Sequence, residues 1–392
     1  MNARIGLVIP WYGENIPGGA EAACRALAGA LQTAGAEVEV LTTTVREFAS
    51  DWNRNFHAEG VAVEGGICVR RFRVRKRDTA AFDAVNRILA RGLSPPISEQ
   101  DIYLRENIRS PALCEFLDRH RSGYIYLFMP YLFGTTVDGV QTAGERGVLI
   151  PCLHEEPQAR MARLQSIFYQ ARGVVFLSEA ERRLAFDLMR LDAAKTAVLG
   201  CPVELGWTAD AERFRRRAFA GEFLLYAGRT GAGKGFDLLV EYFARYLEQR
   251  PAALKLAVAG GDFQAPAWLR PHLVSLGYVP QECLRDAMAA SLAVVTPGVR
   301  ESFSLVMMEA WLAGRPVIAN AACPVTSGFC RLAGGGLYFA SYPEFREILD
   351  ELRANPGLAA QLGRQGREFV RANFEPGQVA ARYLETLRAW FA

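Results

Sequence analysis

With 392 residues, half of them apolar (51 %) and 22 % charged, the chain can fill two compact domains with complete cores and is too large for one small module. Its net charge of +3 excludes a whole-molecule nucleic-acid-binding face, so no nucleic-acid partner is expected and any polyanion contact must be local. The opening residues run directly into an apolar strand-like segment, too short for a signal peptide. The longest greasy stretch, 124–133, contains Pro130 and falls well below the roughly 18 apolar residues of a membrane helix, so a cytoplasmic protein is expected.

In chain order, residues 5–10 read as a strand, a glycine-rich loop follows, 20–35 has helical spacing, and 38–42 reads as the next strand. This β-loop-α-β unit implies a parallel sheet wrapped by helices. Residues 67–75, 124–128, 147–151 and 173–177 continue the strand signal, and 93–98, with Pro95-Pro96, reads as a loop. The pattern restarts with a strand at 223–228, a helix at 236–249 and a strand at 254–259; strands at 292–296 and 316–319 bracket a helix at 304–313. Two doubly wound halves, joined within 200–217, are the expectation. A last helix, 378–391, carries an apolar stripe of Tyr383, Leu384, Leu387, Trp390 and Phe391 that needs a docking surface. Eight cysteines without a C-x-x-C pair or a histidine cluster read as reduced, mostly buried thiols with no structural zinc.

Two segments carry chemistry. In Glu301-Ser302-Phe303-Ser304, followed five positions later by Glu309, two carboxylates flank a helix start. Ser304 is expected as the N-cap, so free N–H groups face whatever lies beside Glu301, a place suited to an anion. Glu309 lies further inside the helix, where a carboxylate can hold two ribose hydroxyls. The bland alternative is a pair of ordinary helix carboxylates. The second segment, 228–235, follows a strand and precedes a helix. It nearly spells a nucleotide-triphosphate P-loop, but Gly235 stands where a Ser or Thr should hold magnesium, which argues against an ATPase. Arg229 and Lys234 remain as two cations on a glycine loop, able to clamp a diphosphate without a metal. A dinucleotide dehydrogenase fails as well: residues 13–19 do not spell G-x-G-x-x-G, and the second strand ends in threonines rather than an acid.

A third feature is cationic. Arg71, Arg73, Arg75 and Arg77 share one side of the predicted strand, with Arg70 and Lys76 adding charge. A solvated edge strand accounts for such a run. The functional reading is contact with a lipid-diphosphate acceptor or an acidic membrane face, hence a peripheral position at the inner membrane.

Together the segments 225–229 with 234–239, 301–309 and 309–318 resemble the retaining GT-B glycosyltransferases of family 4, the glycosyl transferases group 1. Gly18-Gly19-Ala20-Glu21 is similar to that family's glycine loop, and 151–157 to its H-D-E-P segment, with His154 in place and Glu155 where Asp is usual. Segments 176–181 and 335–339 extend the likeness over most of the chain, and 76–110 matches least. The resemblance implies an α/β fold of two facing Rossmann-like doubly wound domains. An acceptor-side domain would span 1–200, a nucleotide-sugar-binding domain 201–377, and a crossover helix, 378–392, would pack back on the first. A nucleoside diphosphate sugar would lie between the domains and transfer its sugar with retention to a glycan, lipid-linked or small-molecule acceptor. The setting would be cell-surface polysaccharide or glycoconjugate synthesis.

In that reading Arg229 and Lys234 neutralise the leaving diphosphate, helped by Gly228 and the helix start at Ser302, Phe303 and Ser304. Glu309 holds the ribose, Glu301 contacts sugar hydroxyls, and the backbone of Gly277, Tyr278 and Val279 contacts the base. Gly18 and Gly19 admit the phosphate, and His154 touches sugar or acceptor. No metal or cofactor is implied, since no D-x-D triplet occurs in the sequence. A GT-B sugar-nucleotide epimerase and a non-catalytic sugar-nucleotide-binding protein are the alternatives.

Overall fold

Strand β1 (Arg4–Val8), helix α1 (Gly19–Thr33) and strand β2 (Val38–Thr43) form the parallel β-α-β unit that the opening residues encode. The structure is a computed structural model; it describes residues 3–14, 16–231 and 233–392. The chain divides into two units, one made of 1–202 with 376–392 and the other of 203–375.

The first unit continues with β3 (Gly60–Glu64), β4 (Ile67–Phe72), α2 (Thr79–Ala90), α3 (Ile97–Arg105), α4 (Pro111–Arg119) and β5 (Tyr124–Phe128). Then come α5 (Gly134–Ala143), β6 (Gly147–Leu149), α6 (Ala162–Gln170), β7 (Gly173–Phe176), α7 (Glu179–Leu188) and β8 (Thr196–Val198). Its sheet runs β3-β4-β2-β1-β5-β6-β7-β8, parallel throughout except for the antiparallel pair β3-β4. Because helices cover both faces, the central strands are apolar without alternation: all five residues of β5 are buried. In α1, Ala23, Cys24, Leu27, Ala28 and Leu31 fall on the buried face at helical spacing.

The arginine run departs from expectation. β4 stops at Phe72 because the next N–H groups find partners in loops: Val74 donates to Asn55 Oδ1, Arg75 to Arg109 O and Arg77 to Asn53 Oδ1. Nor is β4 an edge, since β3 lies outside it. Arg71 is buried, 2.7 Å from Glu64, and donates to Tyr12 O. Arg70 pairs with Glu39 at 2.8 Å, Arg75 lies 3.9 Å from Glu106, and Arg77 sits over the Trp52 and Phe82 rings. Of the six, Arg73 and Lys76 are exposed, Arg70, Arg75 and Arg77 are partly covered and Arg71 is buried. Burial of an arginine demands partners, and for Arg71 the Glu64 carboxylate and the Tyr12 carbonyl supply them. Among the described residues no helix is long and apolar enough to cross a membrane.

The second unit contains α8 (Ala211–Arg217), β9 (Phe223–Gly228), α9 (Phe236–Gln249), β10 (Lys255–Gly260), β11 (Leu273–Gly277), α10 (Gln281–Ala290) and β12 (Ala293–Thr296). It continues with α11 (Leu305–Leu312), β13 (Val317–Asn320), α12 (Pro324–Ala333), β14 (Gly336–Phe339), α13 (Tyr342–Ala354) and α14 (Pro356–Asn373). Its all-parallel sheet has the order β11-β10-β9-β12-β13-β14. Phe236, Leu239, Phe243, Tyr246 and Leu247 form the buried stripe of α9, each stabilising the unit by about 1.5–3 kcal/mol.

The last helix, α15 (Pro376–Trp390), belongs to the first unit and packs on α1. Its buried side chains are Val379, Ala380, Tyr383, Leu384 and Leu387. The Trp390 ring fits against Gly173, and the Arg172 guanidinium donates to Trp390 O at 2.7 and 2.9 Å.

Candidate active site

In the second sheet β9 lies between β10 and β12, the point where strand order reverses. Loops leaving the carboxyl ends of strands at such a point open a crevice for ligands. The glycine loop 229–235 leaves β9 there, and 297–304 leaves β12 beside it. The two loops touch through backbone. Gly235 caps α9 in the left-handed conformation (φ 68°), and a Cβ on it would stand 2.4 Å from Pro297 O. Only glycine meets both demands. The side chain of Asn320, at the end of β13, holds the same Pro297 carbonyl at 3.0 Å.

That contact sets the charges. Lys234 Nζ lies 2.7 Å from Glu301 Oε1, both side chains partly open at 31 % and 22 %. Arg229 presents an exposed side chain, while its carbonyl accepts from the Tyr226 hydroxyl at 2.6 Å. Burial keeps that phenol protonated by pushing its pKa up. Thr230 Oγ1 donates to Asp262 O at 2.7 Å, which ties the glycine loop to the segment after β10.

The helix start at α11 departs from expectation in two ways. Ser304 holds the N-cap position, but with φ 72° and no side-chain cap bond, so its hydroxyl does not satisfy the first N–H groups of the helix. Phe303 is a core residue, packed edge-on against Phe329 and Phe374, and Ser302 is buried beside it. At these two positions the chain offers backbone, not side chain. Gly277 has φ 64° at the end of β11, Tyr278 after it is 74 % exposed, and Val279 is half-buried.

Glu309 is part-covered and accepts from Gln281 Nε2 at 2.5 Å. Although some of its surface is open, the carboxyl lies deep enough for desolvation to push its pKa up to about 7, against the pull of Arg285 and the Gln281 amide. Gln281 was not legible as a site residue, because nothing in its spacing says that α10 would meet position 309.

The remaining expected residues lie in the first unit. Gly18 (φ 145°) precedes α1, and a Cβ there would stand 1.9 Å from Glu21 Oε2; Gly19 faces open space. Glu21 is buried and accepts from the Trp11 indole N–H. His154 Nδ1 lies 3.8 Å from Glu156 Oε1, which also accepts from the Tyr131 hydroxyl at 2.9 Å. Glu155 pairs outward with Arg160 at 2.6 Å. Behind this segment Glu181 is wholly buried and accepts the N–H groups of Leu153 and Leu177, each at 2.6 Å. Burial pushes its pKa up to about 8, and the N–H donors restrain it. The structure thus joins Lys234 to Glu301, and sets the loops of Arg229 and Glu301 together, in one unit. His154, Gly18 and Gly19 belong to the other.

Residues 221–341 match the family described as glycosyl transferases group 1. A D-inositol 3-phosphate glycosyltransferase from Kineococcus radiotolerans is 33 % identical over 188 residues, which cover 42 % of this chain and 43 % of that protein. The chain spans about half the length of the curated relatives it matches. A sucrose-phosphate synthase from Thermosynechococcus elongatus superposes with a TM-score of 0.71 at 18 % identity, covering 99 % of both chains. HepE from Anabaena, solved in complex with UDP-glucose, superposes with a TM-score of 0.68 at 16 % identity, covering 98 % of this chain and 99 % of that one. Residues 221–341 therefore form a group 1 glycosyl transferase domain, within a chain that has the GT-B fold of two parallel-sheet α/β units.

Proposed function

We propose that the protein is a retaining, metal-independent glycosyltransferase. It moves a sugar from a nucleoside diphosphate sugar to a glycan, lipid-linked or small-molecule acceptor in polysaccharide or glycoconjugate synthesis. The observation that carries this reading is the Lys234–Glu301 pair, held where the loops after β9 and β12 meet at the reversal point of the second sheet. A diphosphate placed there takes Lys234 and Arg229 as counter-ions, and Glu301, released from Lys234, turns to sugar hydroxyls. As the sugar–phosphate bond breaks, negative charge grows on the leaving diphosphate, and preorganised cations stabilise that charge more than they stabilise the ground state. Glu309 holds the ribose. The backbone of Gly228, Ser302, Phe303 and Ser304 lies against the phosphates and that of Gly277, Tyr278 and Val279 against the base. For the first unit we propose the acceptor-side role, with His154 steadied by Glu156 and with Gly18 and Gly19 leaving backbone open to ligand. The UDP-glucose bound by the structural neighbour HepE supports the donor class.

The test is a thermal-shift series with UDP, GDP, ADP and dTDP sugars, followed by product analysis with and without acceptor. A donor that stabilises the fold by mass action and yields a glycoside of unchanged anomeric configuration is expected. Conversion of the donor sugar with no acceptor present would instead assign an epimerase, and binding with no product at all a sensor.

A further inference from the structure

The hydrogen bond from Gln281 Nε2 to Glu309 Oε1 joins the first residue of α10 to the middle of α11. One turn along α10, Arg285 lies over the Trp207 ring at 4.6 Å and donates to Glu204 Oε2 at 2.5 Å. Held in this way, Arg285 acts on Glu309 by charge, while Gln281 touches it. A carboxyl group that reads a vicinal diol must accept from two hydroxyls, so it has to be both ionised and fixed about its terminal torsion, which is otherwise broad.

We propose that Gln281 is a positioning residue for donor binding: its amide N–H fixes one oxygen of Glu309, so that the carboxylate meets the two ribose hydroxyls of the nucleotide in a single orientation. This rests on the ribose role assigned to Glu309 above. The electrostatics agree with the geometry. Desolvation favours the neutral acid, Gln281 and Arg285 oppose it, and Glu204 supports it. Helix α14 also packs on α11, where Gly366 faces the Trp311 ring, and it brings Gly363 and Arg367 to Gly314, beyond the far end of α11. Removing the amide N–H therefore lets the Glu309 pKa climb above about 7, leaving a smaller ionised fraction at neutral pH.

Steady-state kinetics of Gln281→Ala, Gln281→Glu and Glu309→Gln, from pH 6 to pH 9, test the proposal. Each is measured with the best donor from the screen above and with the same donor lacking its ribose hydroxyls. Gln281 is exposed at a helix start, so both of its variants should fold. Gln281→Ala should raise the donor KM about 3- to 10-fold at pH 7, the scale of one lost hydrogen bond, with kcat unchanged. The rise should shrink towards pH 9 and vanish with the deoxy donor. Gln281→Glu should raise KM further, because it exchanges the N–H for a second negative charge. If both Gln281 variants keep the native KM while Glu309→Gln raises it, Gln281 positions nothing and the ribose role of Glu309 stands. If Glu309→Gln also keeps the native KM, the ribose role falls, and this inference with it.

Discussion

At the scale of single residues, Lys234 stands 2.7 Å from a carboxylate, so in the proposed reaction its binding to a diphosphate is an exchange of anions. An exchange contributes little net affinity and much orientation. Lys234→Ala and Arg229→Ala should therefore lower kcat by about 10²–10³-fold, as for loss of one preorganised charge stabiliser, with smaller effects on KM. Glu309→Ala should mainly raise the donor KM, since ribose contacts change little as the bond breaks. If the two cation variants raise only KM, these residues are donor anchors and the mechanism above is wrong. Glu181 supports a second expectation, about stability. Its pKa rises from 4.5 in the unfolded chain to about 8 in the fold, so between those values the native state holds a proton that the unfolded state has lost. Stability due to this group must fall as pH rises through that window and level off above it. Glu181→Gln leaves one of two backbone N–H groups without an acceptor and should cost about 1–3 kcal/mol. That cost, read from urea denaturation, should be larger at pH 5 than at pH 9.

At the scale of elements, the junction of the two glycine-bearing loops sets where Lys234 stands. Gly235→Ala would place a Cβ 2.4 Å from Pro297 O on a left-handed backbone. The expected loss is about 1–3 kcal/mol in denaturant midpoint analysis, together with a fall in kcat/KM as Lys234 shifts away from Glu301. Because two side-chain cations and a helix start provide the positive charge in the proposed reaction, turnover should survive exhaustive chelation. Activity lost to EDTA and restored by magnesium would contradict this. Elements were legible where one physical signal dominated. The apolar runs of β5 and β9 and the stripe of α9 follow from the period alone, and their bounds agree with the sequence reading. β4 was read too long because Val74 and the arginines after it keep a strand-like pattern, while the N–H groups that end it are taken by Asn53, Asn55 and Arg109, distant in sequence. The 76–110 stretch matched the family least, yet it folds into α2 and α3 around Phe82, Val85 and Tyr103. Ser304 had a capping residue's chemistry but not its backbone angles, and Gln281 acquires its partner only through packing of α10 on α11.

For the whole molecule, the chain enters the second unit at 203 and leaves it at 375, then returns α15 to the first. The two passages are bonded on each side. Val203 N–H meets Phe374 O at 2.9 Å in the second unit, and in the first the Tyr383 hydroxyl donates to Gly200 O at 3.1 Å and Arg382 to Leu199 O at 3.2 Å. Leu387 on α15 has no accessible surface, so Leu387→Ala should destabilise the first unit by about 2–5 kcal/mol, seen by calorimetry as a downward shift of one transition. A shift of every transition together would show instead that the two units unfold as one. The discontinuity also has a consequence in time. During synthesis the strands of the first unit are complete by residue 198, but α15, which covers α1, is made only after the whole of 203–375. At roughly 5–20 residues per second that interval lasts roughly 10–35 s. Throughout it the second unit is still being made, while the first unit waits with its α1 face bare. Soluble yield in cells therefore depends on how well that face is shielded while translation runs on.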